Sequence, residues 1–210
     1  MENKQRPDES KIQKINRLQR EFFGKITHLF DPPLPEGVFE RLEQIVACAK
    51  IKEGDLVLDV GSGTGILLPL IHKYKPKKIF ACDLSEEMLA SLKKQHPYAI
   101  IIRSDASALN LPDASIDVVF VNACYSNLAD KKGFLINVAG MMKPGGRIVI
   151  SHPMGRGFID LLRAKSPFPL DDFPYESEAK KMLAPHGLKI SKYIDQETLY
   201  ILTAVKADAL

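Results

Sequence analysis

The sequence has 210 residues, of which 45% are hydrophobic and 26% charged, and its formal net charge is +3 at pH 7. This length and hydrophobic fraction fit a single domain with a full core, and no run of like charge indicates a nucleic-acid-binding arm. The charged first ten residues lack the apolar segment of a secretory signal, and no stretch of 18 apolar residues predicts a membrane span.

The chain begins with residues that we expect to form a helical cover. Residues 1–10 are expected to be disordered. Residues 11–29 then carry apolar side chains three or four positions apart, which predicts an amphipathic helix. A proline-rich break precedes a second predicted helix over residues 38–50.

Strands and helices alternate along the next hundred residues. This alternation predicts βαβ units and a parallel sheet, which is an α/β fold. The strands are expected near 55–60, 77–82, 99–103, 115–121 and 146–151, and the helices near 64–73, 85–95 and 130–142. A further helix near 175–185 and a hairpin of strands at about 188–194 and 198–205 end the chain.

The cysteines and histidines do not predict a metal site. The three cysteines, Cys48, Cys82 and Cys124, form no C-x-x-C pair, and the five histidines have no spacing typical of metal ligands. Scattered cysteines of this kind indicate reduced thiols in a cytoplasmic protein.

A glycine loop follows the first predicted strand. Asp59 near the strand end is followed by Gly61, Gly63 and Gly65 at alternate positions. Such a loop brings the backbone close to a ligand and presents the N-terminus of the next helix to it. The register is G-x-G-x-G and not the G-x-G-x-x-G of dinucleotide-binding loops, and the carboxylate would repel a pyrophosphate but suit a cationic group. A dehydrogenase is therefore disfavoured.

The sequence Asp-x-Gly-x-Gly-x-Gly resembles motif I of the class I S-adenosylmethionine-dependent methyltransferases, and the chain is similar to their small-molecule, type-11-like members. The resemblance covers about residues 20–206. It implies a Rossmann-like, doubly wound, mostly parallel seven-stranded sheet with an antiparallel last strand and helices on both faces. It also implies S-adenosyl-L-methionine as the cofactor and S-adenosyl-L-homocysteine as the product. The loop residues expected to bind the cofactor are Asp59, Gly61, Ser62 and Gly63.

The resemblance implies one methyltransferase domain over residues 11–210. Within it, we expect residues 11–50 to form the helical cover and residues 51–151 the cofactor-binding core. Residues 152–210 would then supply the substrate-side segment and the C-terminal hairpin.

Acids at the ends of the second and third predicted strands are expected to bind the adenosine. Asp83 lies 18 residues past the last glycine of the loop, where a carboxylate can accept from two ribose hydroxyls, and Leu84 follows it. The resemblance implies that Asp105 accepts a hydrogen bond from the adenine amine and that the N–H of Ala106 donates to a ring nitrogen.

Residues after the fourth and fifth strands are candidates for contact with the methyl acceptor. Asn122 could orient the acceptor or the cofactor amine, and Tyr125 could stack or hydrogen-bond, although a turn former and a packed ring are equally good interpretations. His152 is the best candidate for a general base, the alternative being a hydrogen-bonded turn residue. Arg156 could hold an anionic substrate, the alternative being a plain surface arginine. Phe30 resembles an aromatic residue, usually Tyr or Trp, that covers the cofactor.

These patterns predict methyl transfer to a small-molecule acceptor by in-line displacement, catalysed mainly by orientation and desolvation. We expect a small-molecule substrate, no nucleic-acid or membrane partner, and a monomer or homodimer. Two alternatives stay open: a methyltransferase acting on RNA or protein, and a non-catalytic S-adenosylmethionine-binding protein that acts through a partner.

Overall fold

The computed structural model describes residues 9–27 and 33–208. The helices are α1 (Glu9–Lys25), α2 (Val38–Cys48), α3 (Leu68–His72), α4 (Glu86–Gln95), α5 (Lys131–Met141), α6 (Phe158–Arg163) and α7 (Glu176–Leu183). The strands are β1 (Leu56–Val60), β2 (Lys78–Asp83), β3 (Ile100–Arg103), β4 (Ile116–Asn122), β5 (Met142–His152), β6 (Leu188–Gln196) and β7 (Leu199–Lys206).

The strands form one seven-stranded sheet in the order β3-β2-β1-β4-β5-β7-β6. Strands β1 to β5 pair with one another in parallel, whereas β7 runs antiparallel to both β5 and β6. This confirms the predicted fold class. The chain builds outward from β1 to β3 and then returns to the other side of β1 as β4. Such a reversal of strand order opens a crevice at the carboxyl ends of β1 and β4, where ligands bind in open α/β sheets.

The core lies on both faces of this sheet. Successive side chains of a strand point to opposite faces, so Leu58 joins one buried cluster with residues of α5 and α7, and Val57 joins another with residues of α2 and α3. The two faces are both covered, as expected for parallel strands whose sequences are almost continuously apolar.

The predicted helices differ from the observed ones mainly at their ends. The helix expected over residues 64–73 is α3, which begins only at Leu68. Gly65 has φ of 92°, which is outside the helical region, so the glycine loop extends further than the apolar pattern indicated.

The N-terminal helices lie on opposite faces of the sheet. Ile15, Leu18 and Phe22 of α1 pack against the first cluster, and α2 contributes buried residues to the second. Glu9 and Ser10 are already helical, whereas residues 1–8 and the predicted end of the first helix at residue 29 lie outside the described residues. In the part of the chain that the structure describes, no helix has the length and apolarity to span a membrane.

Candidate functional site

A cavity open to solvent lies at the carboxyl ends of the parallel strands, and its empty space together with the solvent at its mouth is about 980 Å³. Its floor is formed by the glycine loop after β1, by the ends of β2 and β3, and by the loop after β4. Helix α1 lies across it and supplies the side chains of Asn16, Gln19, Arg20 and Phe23 to its wall. The cavity therefore occupies the crevice that the strand order creates.

The glycine loop needs its glycines for different reasons. Gly61, Gly63 and Gly65 all have positive φ, at 67°, 54° and 92°, a region that side chains with a Cβ rarely adopt. A Cβ on Gly61 would overlap the Cys124 sulfur, because the loop after β4 packs directly against it. A Cβ on Gly63 would meet no atom within 4 Å, since Gly63 borders the cavity. Gly61 thus permits packing, and Gly63 leaves the cavity accessible to a ligand.

Asp59 lies beneath this loop at the end of β1. Only 2% of the residue is exposed, and its backbone carbonyl accepts a hydrogen bond of 2.7 Å from Ser62 Oγ. Burial, together with the nearby Asp83 carboxylate, raises the pKa of Asp59 to about 7. Asp59 does not itself line the cavity, whereas residues 60–64 do. A positive charge placed above the loop would stabilise its ionised form.

Asp83 joins the glycine loop to the start of α4. One carboxylate oxygen accepts from Gly63 N and the other from Ser85 N, each at 2.9 Å. Ser85 in turn caps α4 by accepting from Met88 N. Burial raises the pKa of Asp83, and these hydrogen bonds oppose the shift. Each oxygen keeps a lone pair, and both Asp83 and Leu84 line the cavity, so a diol could donate to this carboxylate.

Asp105 follows β3 and lines the next part of the cavity with Ala106. Its Oδ1 accepts from the backbone N and the Oγ of Ser107, both at 2.8 Å. Its Oδ2 accepts from Nδ2 of Asn16, which reaches down from α1. Asp83 and Asp105 therefore line one cavity at the ends of adjacent strands, and Asp59 lies buried near the end of the next strand.

Of the residues predicted to meet the acceptor, only Asn122 lines the cavity. Its Oδ1 accepts a hydrogen bond of 3.0 Å from Ser151 Oγ. The ring of Tyr125 is buried, packs 5.6 Å from Phe173 between centroids, and its hydroxyl donates to Met182 Sδ at 3.0 Å. Tyr125 is thus the packed ring of the alternative interpretation.

His152 is also placed away from the cavity. The residue is 3% exposed, its ring packs against Phe158 and Phe173, and its Nδ1 accepts from Met154 N at 3.1 Å. Burial lowers the pKa of His152 to about 4. This is the hydrogen-bonded turn residue of the alternative interpretation, and its geometry gives no support to a role as general base.

The contacts predicted for Arg156 with an anionic substrate and for Phe30 with the cofactor remain to be placed. The Arg156 guanidinium stacks on Tyr175 at 3.5 Å and lies 3.7 Å from the Asp195 carboxylate, so it is already engaged within the protein. Phe30 lies outside the described residues.

The sequence did not single out the polar residues of α1. Gln19 is buried, and its Nε2 donates to the Asn127 carbonyl at 2.6 Å, while Asn16 bonds Asp105 one helical turn earlier. On a helix, residues three apart share a face, so both face the cavity. In the sequence they cannot be distinguished from exposed polar residues beside an apolar stripe. Across residues 9–27 and 33–208, no three His, Cys, Asp or Glu side chains come together as a possible metal site.

Comparison with known proteins agrees with this geometry. A family model described as a methyltransferase domain matches residues 58–150, which run from β1 to β5. An uncharacterized methyltransferase of Schizosaccharomyces pombe is 33% identical over 100 residues, which make up 48% of this chain and 39% of that protein. A malonyl-[acyl-carrier protein] O-methyltransferase of Xylella fastidiosa is 30% identical over 139 residues, or 63% of this chain and 47% of that protein. The chain therefore spans less than half the length of these two relatives.

The fold also matches a solved structure over most of its length. The 1,6-didemethyltoxoflavin-N1-methyltransferase of Burkholderia thailandensis, solved with its acceptor and S-adenosylhomocysteine, superposes with a TM-score of 0.71. The match covers 94% of this chain and 91% of that one at 18% sequence identity, which establishes a shared fold.

Proposed function

Because this chain belongs to the class I S-adenosylmethionine-dependent methyltransferases, we propose that its cavity binds S-adenosylmethionine and that it transfers the methyl group to a small-molecule acceptor. The observation that carries the proposal is that Asp83 and Asp105 line one cavity, beside a glycine loop that leaves space for a ligand and has Asp59 buried beneath it. This set suits a ligand with a cationic end, a diol and an amine-bearing base, and it does not suit a phosphate.

Each part of the cofactor has its own place in this proposal. The backbone of Gly61, Ser62 and Gly63, with Asp59 beneath it, holds the amino-acid end, because the buried carboxylate favours a nearby ammonium group. Asp83 accepts from the ribose hydroxyls, next to Leu84.

The adenine lies against Asp105 and Ala106, the pair that follows β3. The Asp105 carboxylate accepts from the exocyclic amine, and the backbone N–H of Ala106 donates to a ring nitrogen. Both residues line the cavity, which supports this placement. The Ala106 carbonyl accepts from Asn137 Nδ2 at 3.0 Å, so the backbone at this position is fixed from the opposite side.

The residues of the chain contribute orientation and exclusion of water. When bound, S-adenosylmethionine supplies a methyl group that its sulfonium already activates. Asn122 stands at the end of β4 with its Oδ1 fixed by Ser151, so its Nδ2 can orient the acceptor or the cofactor amine. Phe23 of α1 packs against Phe168, with ring centroids 5.8 Å apart, and covers the cavity with an apolar wall. Such a site needs no protein base when the acceptor brings its own nucleophile.

The position of helix α1 and the names of two similar proteins favour a small-molecule acceptor. Helix α1 lies across the cavity, and a covered site of this kind suits a small acceptor. The relative from Xylella and the Burkholderia structure are named for O- and N-methylation of small acceptor groups, one of them carried on a protein. The acceptor atom of this chain follows from neither name.

We propose a monomer or homodimer that acts in the cytoplasm on a small molecule, without a nucleic-acid or membrane partner. The three cysteines are unpaired, which supports a reducing compartment. The domain division follows the same proposal: residues 11–50 cover the cavity, 51–151 bind the cofactor and 152–210 complete the acceptor side.

The experiment is methyl transfer from radiolabelled S-adenosylmethionine into a cell extract that has been separated into small molecules, RNA and protein. The proposal predicts that label enters the small-molecule fraction. The matched control is Asp83→Ala, which should bind the cofactor poorly and transfer little label to any fraction. Label that enters RNA or protein instead would identify those acceptors. If the protein binds S-adenosylmethionine but labels no fraction, the binding protein that acts through a partner is the better description.

A further inference from the structure

The hydrogen bond between Asn16 and Asp105 links the helical cover to the base-binding end of the cavity. The two residues are 89 positions apart, both line the cavity, and the bond is partly buried. An ionised carboxylate only accepts hydrogen bonds, so the Asn16 amide must turn its Nδ2 toward Asp105. The Oδ1 of Asn16 then lies next to the carboxylate and receives no hydrogen bond from the described residues.

The acceptor capacity of Asp105 leaves room for one more donor. A carboxylate has about four lone-pair sites. Ser107 uses two of them on Oδ1, through its backbone N and its Oγ, and Asn16 uses one on Oδ2. Among the described residues no further donor reaches Oδ2, so one site stays available there, beside the amide oxygen of Asn16. Two acceptors side by side are the complement of an amine with two N–H groups.

We propose that Asn16 is a specificity-determining residue for the amine of the nucleoside base. It fixes the Asp105 carboxylate through Nδ2 and offers its own Oδ1 to the second N–H of the amine. The inference rests on the proposed function, since it assumes that the nucleoside is the adenosine of S-adenosylmethionine.

Gln19 provides the matched control. It anchors the same helix three residues later, through Nε2 on the Asn127 carbonyl at 2.6 Å, and its described hydrogen bond does not involve Asp105. Removing either side chain weakens the attachment of α1, but only removal of Asn16 changes the acceptors available to the amine. Alanine is the best helix former, so Asn16→Ala and Gln19→Ala both preserve α1. Asn16→Leu keeps the size of the side chain and serves as a second variant.

The test compares the affinities of two ligands by calorimetric titration. One ligand is S-adenosylhomocysteine, and the other is its analogue with purine in place of adenine, which lacks only the amine. The parent should prefer S-adenosylhomocysteine. In Asn16→Ala and Asn16→Leu this preference should fall by up to about tenfold, the upper end of the range for a hydrogen bond between two neutral groups. In Gln19→Ala both affinities should fall by a similar factor, with the preference unchanged.

The outcomes separate this inference from the proposed function. If Asn16→Ala weakens the binding of both ligands equally, Asn16 only anchors the helix. If the variant binds S-adenosylhomocysteine more tightly, Asn16 competes with the base. Either result would show that the inference is wrong. A parent that binds both ligands equally well would overturn the role of the amine while leaving the cofactor site intact. A parent that binds neither would overturn the proposed function and the inference with it.

Discussion

Two alanine substitutions in the glycine loop should separate folding from ligand binding. Both Gly61→Ala and Gly63→Ala force a Cβ into a backbone with positive φ, at 67° and 54°, which costs about 1–2 kcal/mol. At Gly61 the added Cβ also meets the Cys124 side chain, with its Cβ at 2.6 Å, and overpacking of this kind costs about 1–3 kcal/mol more. We therefore expect losses in the free energy of unfolding of about 2–5 kcal/mol for Gly61→Ala and about 1–2 kcal/mol for Gly63→Ala.

Gly63→Ala, the variant that loses less stability, should show a clear loss of affinity for the ligand. The new methyl group of Gly63→Ala points to open space beside the cavity, so the variant should stay folded but bind S-adenosylhomocysteine at least about tenfold more weakly, since one lost contact of 1.4 kcal/mol has that effect. Urea unfolding gives the stabilities, and calorimetric titration gives the affinities.

A third variant tests the cause of the instability at Gly61. Cys124→Gly removes the atoms that the new Cβ would meet, so Gly61→Ala should cost only the backbone strain in that background. Equal losses of stability for Gly61→Ala and Gly63→Ala would refute the packing account of the loop. A Gly63→Ala variant with unchanged affinity would show that the ligand does not approach the loop at this residue.

The other predictions concern the ionisable residues. Asp83→Ala should remain folded by circular dichroism and bind S-adenosylhomocysteine about 1.5–3 kcal/mol more weakly, as measured by calorimetry, because a hydrogen-bonded carboxylate is lost; unchanged affinity would remove the ribose assignment. The pKa of Asp59 is raised to about 7 by burial, so the stability that this residue confers is present in acid and is lost as the pH rises from about 4 to about 7. Urea unfolding should therefore show a steeper decline of stability between pH 4 and pH 7 in the parent than in Asp59→Asn, and equal slopes would contradict the shift. His152 is buried with a pKa near 4, so the pH–rate profile of His152→Gln should match that of the parent once an acceptor is known, and a profile that loses one limb would restore the general-base role.

The sequence predicted the sheet and the floor of the cavity because short-range rules govern both. Apolar runs ending in acids or glycines mark the carboxyl ends of parallel strands, and these ends meet at one edge. Asp83 and Asn122 were therefore expected at this edge from their positions in the chain, and Asp105 from the resemblance to the family. The structure brings all three to the wall of the cavity.

The cover and the acceptor side could not be predicted in the same way. Whether Tyr125 and His152 face the cavity depends on the packing of Phe173, which arrives from a distant segment without regular structure. Asn16 and Gln19 acquire their roles only when α1 docks across the strand ends. A rule based on neighbours in the sequence contains no information on such long-range contacts.

The central claim is that the cavity binds S-adenosylmethionine and not a dinucleotide. The most direct test is a calorimetric titration of the purified protein with S-adenosylmethionine, S-adenosylhomocysteine and NAD in parallel. We predict micromolar binding of both sulfur compounds and no heat of binding with NAD. Binding of NAD, with no binding of either sulfur compound, would contradict the claim.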